Sequence, residues 1–348
     1  MLHHILSAYG LAYNSVETKP FGTGLINHTW MVDSGANKFI LQRINHNIFK
    51  SPGDIACNIR MIGNYLSKNY PAYLFVPAEK TMQQDDIVYL PEEGYFRLFP
   101  FVKNSHTIDV VSTVAQAYEA AKQFGRFTKL LAGFDAGALH ITLPDFHNLP
   151  LRYQQFENAL QQGNPGRIMQ SAGAIDFLKE YQSIATTYTN ICNDKAFKKR
   201  VTHHDTKISN VLFEDNDKGL CVIDLDTVMP GYFISDVGDM LRTYLSPVSE
   251  EEKDFSKIEI REGYFKAIAD GYLSEMKDEL TETEKKHFVY AGKFLIYMQA
   301  LRFLTDYLNE DIYYGSKYEG QNFVRANNQI VLLQKLIEKE NRLFAFLS

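Results

Sequence analysis

The chain has 348 residues, 45% of them hydrophobic and 22% charged, with a formal net charge of −6. That length accommodates two domains or two unequal lobes around a cleft, and the acidic balance argues against broad, sequence-independent nucleic-acid binding, which needs a basic face. Cys57, Cys192 and Cys221 lack metal or redox spacing, no run reaches the ~18 apolar residues of a membrane span, and "MLHHILSAYG" has no signal-peptide pattern, so a cytoplasmic protein with no membrane partner is expected.

Up to residue 103, short runs rich in Ile, Val, Phe and Tyr ("KPFGTGLINHTWMV", "KFILQRI", "AYLFVPA", "DIVYLP", "GYFRLFPFV") alternate with the turn stretches GTG, DSGANK and PEEG. They predict a β-meander. One helix interrupts it, "PGDIACNIRMIGNYLSKN", with Ile55, Ile59, Ile62 and Leu66 on one face. From residue 104 onward helices dominate. "TIDVVSTVAQAYEAAKQFGRFTKLL" carries Val110, Val114, Ala117, Ala121 and Phe124 at helical spacing, and helical patterns cover about 150–162, 171–192, 249–278, 282–309 and 322–346. The expected fold class is α+β, with a β-rich lobe over 1–103, a connection at 99–104 and an α-helical lobe over 104–348.

Set among the helices is "VTHHDTKISNVLFEDNDKGLCVIDLD", residues 201–226. "VLF" and "LCVID" read as strands joined by the turn "EDNDKG", in which Asp215 and Asp217 are turn residues. A hairpin centred near Asp217 sets Asn210 nearly opposite Asp224, close enough for both to hold one hard cation such as Mg2+. Asp205 and Asp224 flank strands, where an unpaired buried charge is costly, so a solvated turn does not account for them.

Residues 203–210, "HHDTKISN", have the His-x-Asp-x-x-x-x-Asn form of the kinase catalytic loop. "IDLD", residues 223–226, resembles the metal-binding Ile-Asp-x-(Asp/Glu) of the aminoglycoside and choline kinase-like phosphotransferases. The resemblance covers most of the chain, because the order of lobes, loop, hairpin and metal aspartate matches too. It implies a protein-kinase-like two-lobed fold and ATP as phosphoryl donor. By the resemblance Asp205 takes the proton of the acceptor hydroxyl, Lys207 neutralises the transferring phosphoryl group, and Asn210 and Asp224 hold Mg2+, with Asp226 reaching a second metal or serving structurally. His203 organises the loop and Asp236 braces it, while Asp239 is equally explained as the cap of a helix beginning near Met240.

The resemblance implies a nucleotide set of Gly22, Thr23 and Gly24 of "GTGLIN", which a plain hairpin turn explains equally, with Phe99 and Phe101 of the connection and Arg43 as the candidate phosphate contact, since "FILQRIN" offers no lysine and the next helix no glutamate. Neither a P-loop motif, G-x-S-x-G nor H-E-x-x-H is present.

"GLINHTW", "LPDFHNLPLRYQQFENAL", "ALRFLTDYLNEDIYYG" with "GQNFVRANNQ", and the Pro-Gly after the metal motif resemble one branch, the N-acetylhexosamine 1-kinases. That likeness implies transfer to the anomeric hydroxyl of an amino sugar contacted by Asn27, Arg302, Asp306 and Tyr313, besides Asp205. Asp145, His147 and Arg152 line the cleft or brace a helix, the two readings standing even. An aminoglycoside, choline or amino-alcohol acceptor, and a nucleotide-binding module without turnover, stay open as alternatives.

Overall fold

The structure is a computed structural model that describes residues 2–22 and 26–347, the Tyr13 side chain excepted. Thr23 and Gly24 therefore lie outside the described residues. The first lobe comprises α1 (Leu2–Ala8), β1 (Glu17–Pro20), β2 (His28–Asp33), β3 (Lys38–Ile44), α2 (Pro52–Asn69), β4 (Val88–Leu90) and β5 (Gly94–Pro100). Among the described residues its strands form a five-stranded antiparallel sheet in the order β1-β2-β3-β5-β4. "AYLFVPA" forms no strand: Pro71 and Pro77 have no N–H to give a ladder, and the segment that follows is tied to β5 by one bond, Glu79 N–H to the Leu98 carbonyl at 2.7 Å.

Side-chain alternation divides this sheet's faces. Val32, Leu41, Phe96 and Leu98 pack with Ile5 and Leu6 of α1 into a small core. The other face carries Gln42, Ile44, Arg97 and Phe99; Ile44 joins Ile55, Ile59, Ile62 and Leu66 of α2 in the core shared with the helical lobe. All four α2 residues expected on one face are buried.

The second lobe runs through α3 (Val114–Leu130), α4 (Leu149–Gln162), α5 (Pro165–Gln170), α6 (Ala172–Glu180) and α7 (Ser183–Asn193). It then passes the strands β6 (Arg200–Thr202), β7 (Val211–Phe213), β8 (Gly219–Val222) and β9 (Met229–Gly231). It closes with α8 (Phe233–Tyr244), α9 (Glu262–Met276), α10 (Glu282–Lys286), α11 (Phe288–Leu308) and α12 (Gln321–Phe344). A capping box between Thr113 and Gln116 starts α3. α11 is apolar nearly all round and is buried accordingly among α4, α8 and α12. Where α3 crosses α9, a Cβ on Gly271 would stand 2.3 Å from the Tyr118 carbonyl oxygen, so only glycine permits that approach.

Three further expectations shift. α3 begins at Val114 behind its Thr113 cap, so Val110 lies before the helix and is exposed. Of 249–278 only α9 is α-helical, because side chains of Glu252 and Asp254 bond the local main chain and hold residues 249–261 as a loop with one short 3-10 turn. α8 starts at Phe233, not near Met240, so Asp239 is a buried mid-helix residue and not a cap. No helix among the described residues is long and apolar enough to cross a membrane.

Candidate active site

The catalytic loop is built from its back. β6 pairs with β9, and a Cβ on Gly231 would fall 2.3 Å from Thr202 Oγ1 and 2.5 Å from His204 Nε2. His204 sits in the left-handed region at φ +66°, a conformation an ordinary residue keeps only when its surroundings impose it. Asp236, in the first turn of α8, imposes it: its carboxylate accepts the main-chain N–H of His203 at 3.0 Å and of His204 at 2.7 Å. Burial pushes the Asp236 carboxyl up to about 6, against the pull of those bonds and of His203. Asp239 accepts the Thr206 N–H at 2.8 Å and pairs with Arg242 at 3.0 Å, while the Thr206 hydroxyl donates to the Asp236 carbonyl at 2.7 Å. Thr227 donates to the His203 carbonyl at 2.7 Å, and His203 Nε2 lies 2.9 Å from the Ile223 carbonyl oxygen. Asp236 and His203 thus both lie against the main chain behind the loop.

The front of the loop presents Asp205, partly exposed at 23%. Its Oδ2 accepts from Asn210 Nδ2 at 3.0 Å and lies 3.1 Å from Lys207 Nζ. Burial alone would lower the lysine, yet Asp205, Asp224 and Asp239 outweigh it and hold the ammonium above its usual range.

The hairpin differs from its expected register by one residue. Val211 faces Val222, a bulge follows at Leu212/Phe213, and Asn210 stands opposite Ile223, whose N–H it accepts at 2.9 Å. Past the open end of the hairpin the chain turns at Asp224, which adopts φ +60° and ψ +61°. Its side chain is open to solvent although protein crowds around it, and it has no hydrogen-bond or ion-pair partner among the described residues. That crowding first, then the charges of Asp226 and Asp205, pushes the carboxyl up to about 7. A carboxylate in such a place calls for a cation. Asn210 and Asp224 suit magnesium, which takes one or two protein oxygens and completes its shell with water and phosphate. No group of three or more His, Cys, Asp and Glu side chains among the described residues is placed to hold a metal by itself. Asp217 does more than turn: its carboxylate accepts from Gln116 Nε2 of α3 at 2.9 Å.

Asp226 is occupied. Its Oδ1 lies 2.5 Å from Arg97 Nη1, a charge contact without hydrogen-bond alignment, and its Oδ2 accepts from Asn27 Nδ2 at 2.9 Å. It joins the lobes instead of standing free for a second metal. Arg97 in turn binds Gln42 Oε1 through Nε at 3.1 Å and Nη2 at 2.9 Å and lies over the Phe99 ring. Arg43 belongs to the opposite face of β3, that of Leu41, so the sheet's cation facing the catalytic loop is Arg97. An arginine inside the apolar strand "GYFRLFPFV" was the signal for it. Gly22 has φ +79° with nothing within 4 Å of a Cβ, and Phe101 meets Phe21 edge-on at 6.3 Å.

Beside the loop, a cavity of about 310 Å³ opens between α4 and α11, lined by Arg152, Gln155, Arg302, Asp306, Tyr313 and Tyr314 among others. His147 connects the two regions: its ring lies 5.3 Å from that of His204, next to Asp205 in sequence. Burial first, then the charges of His204, Arg302, Arg242 and Arg152, keep His147 well below its ordinary range and neutral. Of the expected sugar contacts, Arg302 and Tyr313 line this cavity. Asn27 does not: its amide bridges Asp226 and the Asn45 N–H. Asp306 borders the cavity, but its oxygens accept from Tyr313 N–H (2.7 Å), Tyr314 N–H (2.9 Å) and Asn322 Nδ2 (3.0 Å), which fixes the loop after α11. A second groove lies on the α3–α9 pair, near Val114, Tyr118 and Lys266; neither lining includes a loop residue, and it is His147, near His204 and within reach of the charges of Arg152 and Arg302, that relates the first cavity to the loop.

Residues 17–277, well over half of the chain, match the model of the phosphotransferase enzyme family, described as APH, and the chain belongs to that family. Its fold is that of an aminoglycoside phosphotransferase from Alicyclobacillus acidocaldarius, with a TM-score of 0.63 at 12% identity over 97% of this chain and 96% of the other. A microcompartment-associated aminopropanol kinase superposes at 0.62 and 14% identity, covering 100% and 99%. A choline/ethanolamine kinase family protein from Mesorhizobium loti does so at 0.62 and 13%, covering 99% and 96%.

Proposed function

We propose that the protein is a magnesium- and ATP-dependent kinase that phosphorylates the anomeric hydroxyl of an N-acetylhexosamine. The observation that carries the chemistry is Asp205, a partly exposed carboxylate held by Asn210 and Lys207, beside an unpartnered Asp224. The acceptor oxygen forms its new bond to the γ-phosphorus, the bond from that phosphorus to the β–γ bridging oxygen breaks, and ADP leaves with the electron pair. Asp205 orients the hydroxyl and takes its proton; Lys207 offsets charge on the transferring group. Magnesium held by Asn210 and Asp224 supplies charge neutralisation on the phosphates. Arg97, Phe99 and Phe101 face the nucleotide, Gly22 lies beside its phosphates, and Arg302 and Tyr313 face the sugar.

The proteins of similar fold are named for an aminoglycoside in one case and for amino alcohols in the other two, which keeps such acceptors as the second reading. Proton-coupled phosphorus NMR after incubation with magnesium–ATP and N-acetylglucosamine or N-acetylgalactosamine tests the first. A new monoester coupled to the anomeric proton is expected. An ester formed only with ethanolamine, aminopropanol or choline would replace the sugar by an amine alcohol.

A further inference from the structure

The cavity beside the catalytic loop is lined by two guanidinium groups against one carboxylate, Asp306, so its lining is net positive. Among the described residues neither Arg152 nor Arg302 forms an ion pair. Arg152 donates to the Gln155 side chain at 3.0 Å and to the Asp145 carbonyl at 2.8 Å, and its Nε is buried without a partner. Arg302 reaches only Gln299 Oε1, at 3.4 Å, and lies near the rings of Tyr313 and Tyr314. The nearby carboxylates are committed elsewhere: Asp306 to the loop amides described above, and Asp145 to Asn148 Nδ2 at 2.8 Å.

Other arginines of this lobe are treated differently. Arg242 pairs with Asp239 and Glu250, Arg325 with Glu250 and Glu251, Arg200 with Glu284, and Arg167 with Asp311. Arg126 and Arg261 also lack an ion pair, but each lies over a tyrosine ring, and Arg261 also donates to main-chain carbonyls; what sets Arg152 and Arg302 apart is that two unpaired guanidinium groups line one cavity. They also work against each other: burial first, then the charge of Arg302, lowers Arg152 from its usual range. Paired guanidinium forks match the oxygens of a carboxylate or phosphate, and an anion between them removes their repulsion.

We infer that the acceptor carries an anionic group, a carboxylate or a phosphate ester, seated between Arg152 and Arg302 while its hydroxyl reaches Asp205. This rests on the reading that the cavity receives the acceptor. It also separates the protein from kinases of choline, ethanolamine or aminopropanol, whose acceptors are cations and would be repelled here.

The test is calorimetric binding to the full chain, saturated with magnesium and a non-hydrolysable ATP analogue so that anions cannot enter the nucleotide site. The probes are glucosamine, N-acetylglucosamine, its 6-carboxylate and its 6-phosphate. At least one acidic probe should bind about tenfold or more tighter than the neutral sugar, with glucosamine weakest. The better acid identifies which anion is meant. The preference should vanish in Arg152→Gln and in Arg302→Gln, each still binding the analogue as a sign of intact folding. A neutral sugar binding as well as both acids, absence of acid binding, or a preference that survives in both variants would overturn the inference. Product analysis by phosphorus NMR is a separate readout: an anion preference without an anomeric ester would remove the 1-kinase reading and leave the charge assignment standing.

Discussion

The back of the catalytic loop and the cavity in front of it are built on opposite rules. Behind the loop, Asp236 and Asp239 accept main-chain N–H groups, Thr206 and Thr227 donate to main-chain carbonyls, and Tyr244 closes the set at 2.6 Å from the Thr206 carbonyl. In the cavity Arg152 and Arg302 form no ion pair among the described residues. A satisfied polar network fixes one geometry, whereas unsatisfied polar groups lower stability and have value only once a ligand completes them. On the proposed function, the contrast separates the part of the molecule that performs the transfer from the part that selects what receives it.

The sharpest way to break the comparison is at its meeting point. Asp205→Asn should lose about a thousandfold or more in turnover, as expected for removal of a general base, and still melt normally and bind the ATP analogue. Near-normal ADP release in that variant would end the mechanism. Next is the bracing network: Asp236→Ala leaves two buried N–H groups without acceptors, which should cost about 3 kcal/mol in urea unfolding. Arg302→Gln, by contrast, should leave the urea midpoint almost unchanged while weakening acceptor binding; equal destabilisation by both variants would erase the distinction between the regions.

Acid should act on the same network. An unfolded histidine takes up its proton near 6.5, but burial holds folded His204 down to about 4. Between those values the unfolded chain binds more protons, so the His204 contribution falls as pH drops from 6.5 to 4, by at most about 3 kcal/mol. Asp236, raised to about 6, works oppositely: its contribution is complete below the unfolded carboxyl pKa and is lost as pH rises through about 6. The stability difference between the wild type and His204→Gln should therefore shrink on acidification, and a difference independent of pH would contradict the buried neutral ring. Smaller still is Thr113→Ala, which removes the α3 capping box for about 1 kcal/mol by thermal melting. Smallest is Lys266→Met, which breaks an exposed pair with Asp270 and should shift stability by less than about 0.5 kcal/mol.

Much of this was legible in the residues. The lobe order and the α2 stripe follow from periodicity, and the placing of Asp205, Asn210 and Asp236 around one loop is what the family resemblance implies. What escaped depended on geometry that spacing does not encode. The turn is centred one residue before Asp217 and the bulge after Leu212 recovers only part of that offset, so Asn210 stands opposite Ile223; strand alternation put Arg97, not Arg43, toward Asp226. Asn27 and Asp306 have side chains suited to a sugar, but their nearest donors and acceptors belong to the protein itself. The meaning of Arg152 and Arg302 lay in which acids do not reach them, and that is invisible before folding.

Gly231 gives the catalytic loop a limit of another kind. Thr202 and His204 fill the space where its side chain would begin, so the position has no volume to vary: even a methyl group must displace the ring one residue before Asp205. Residues around the cavity, Tyr313 at 73% exposure among them, have room to change. Substitutions accumulating in such a chain would alter its choice of acceptor many times over before position 231 admitted a single alternative.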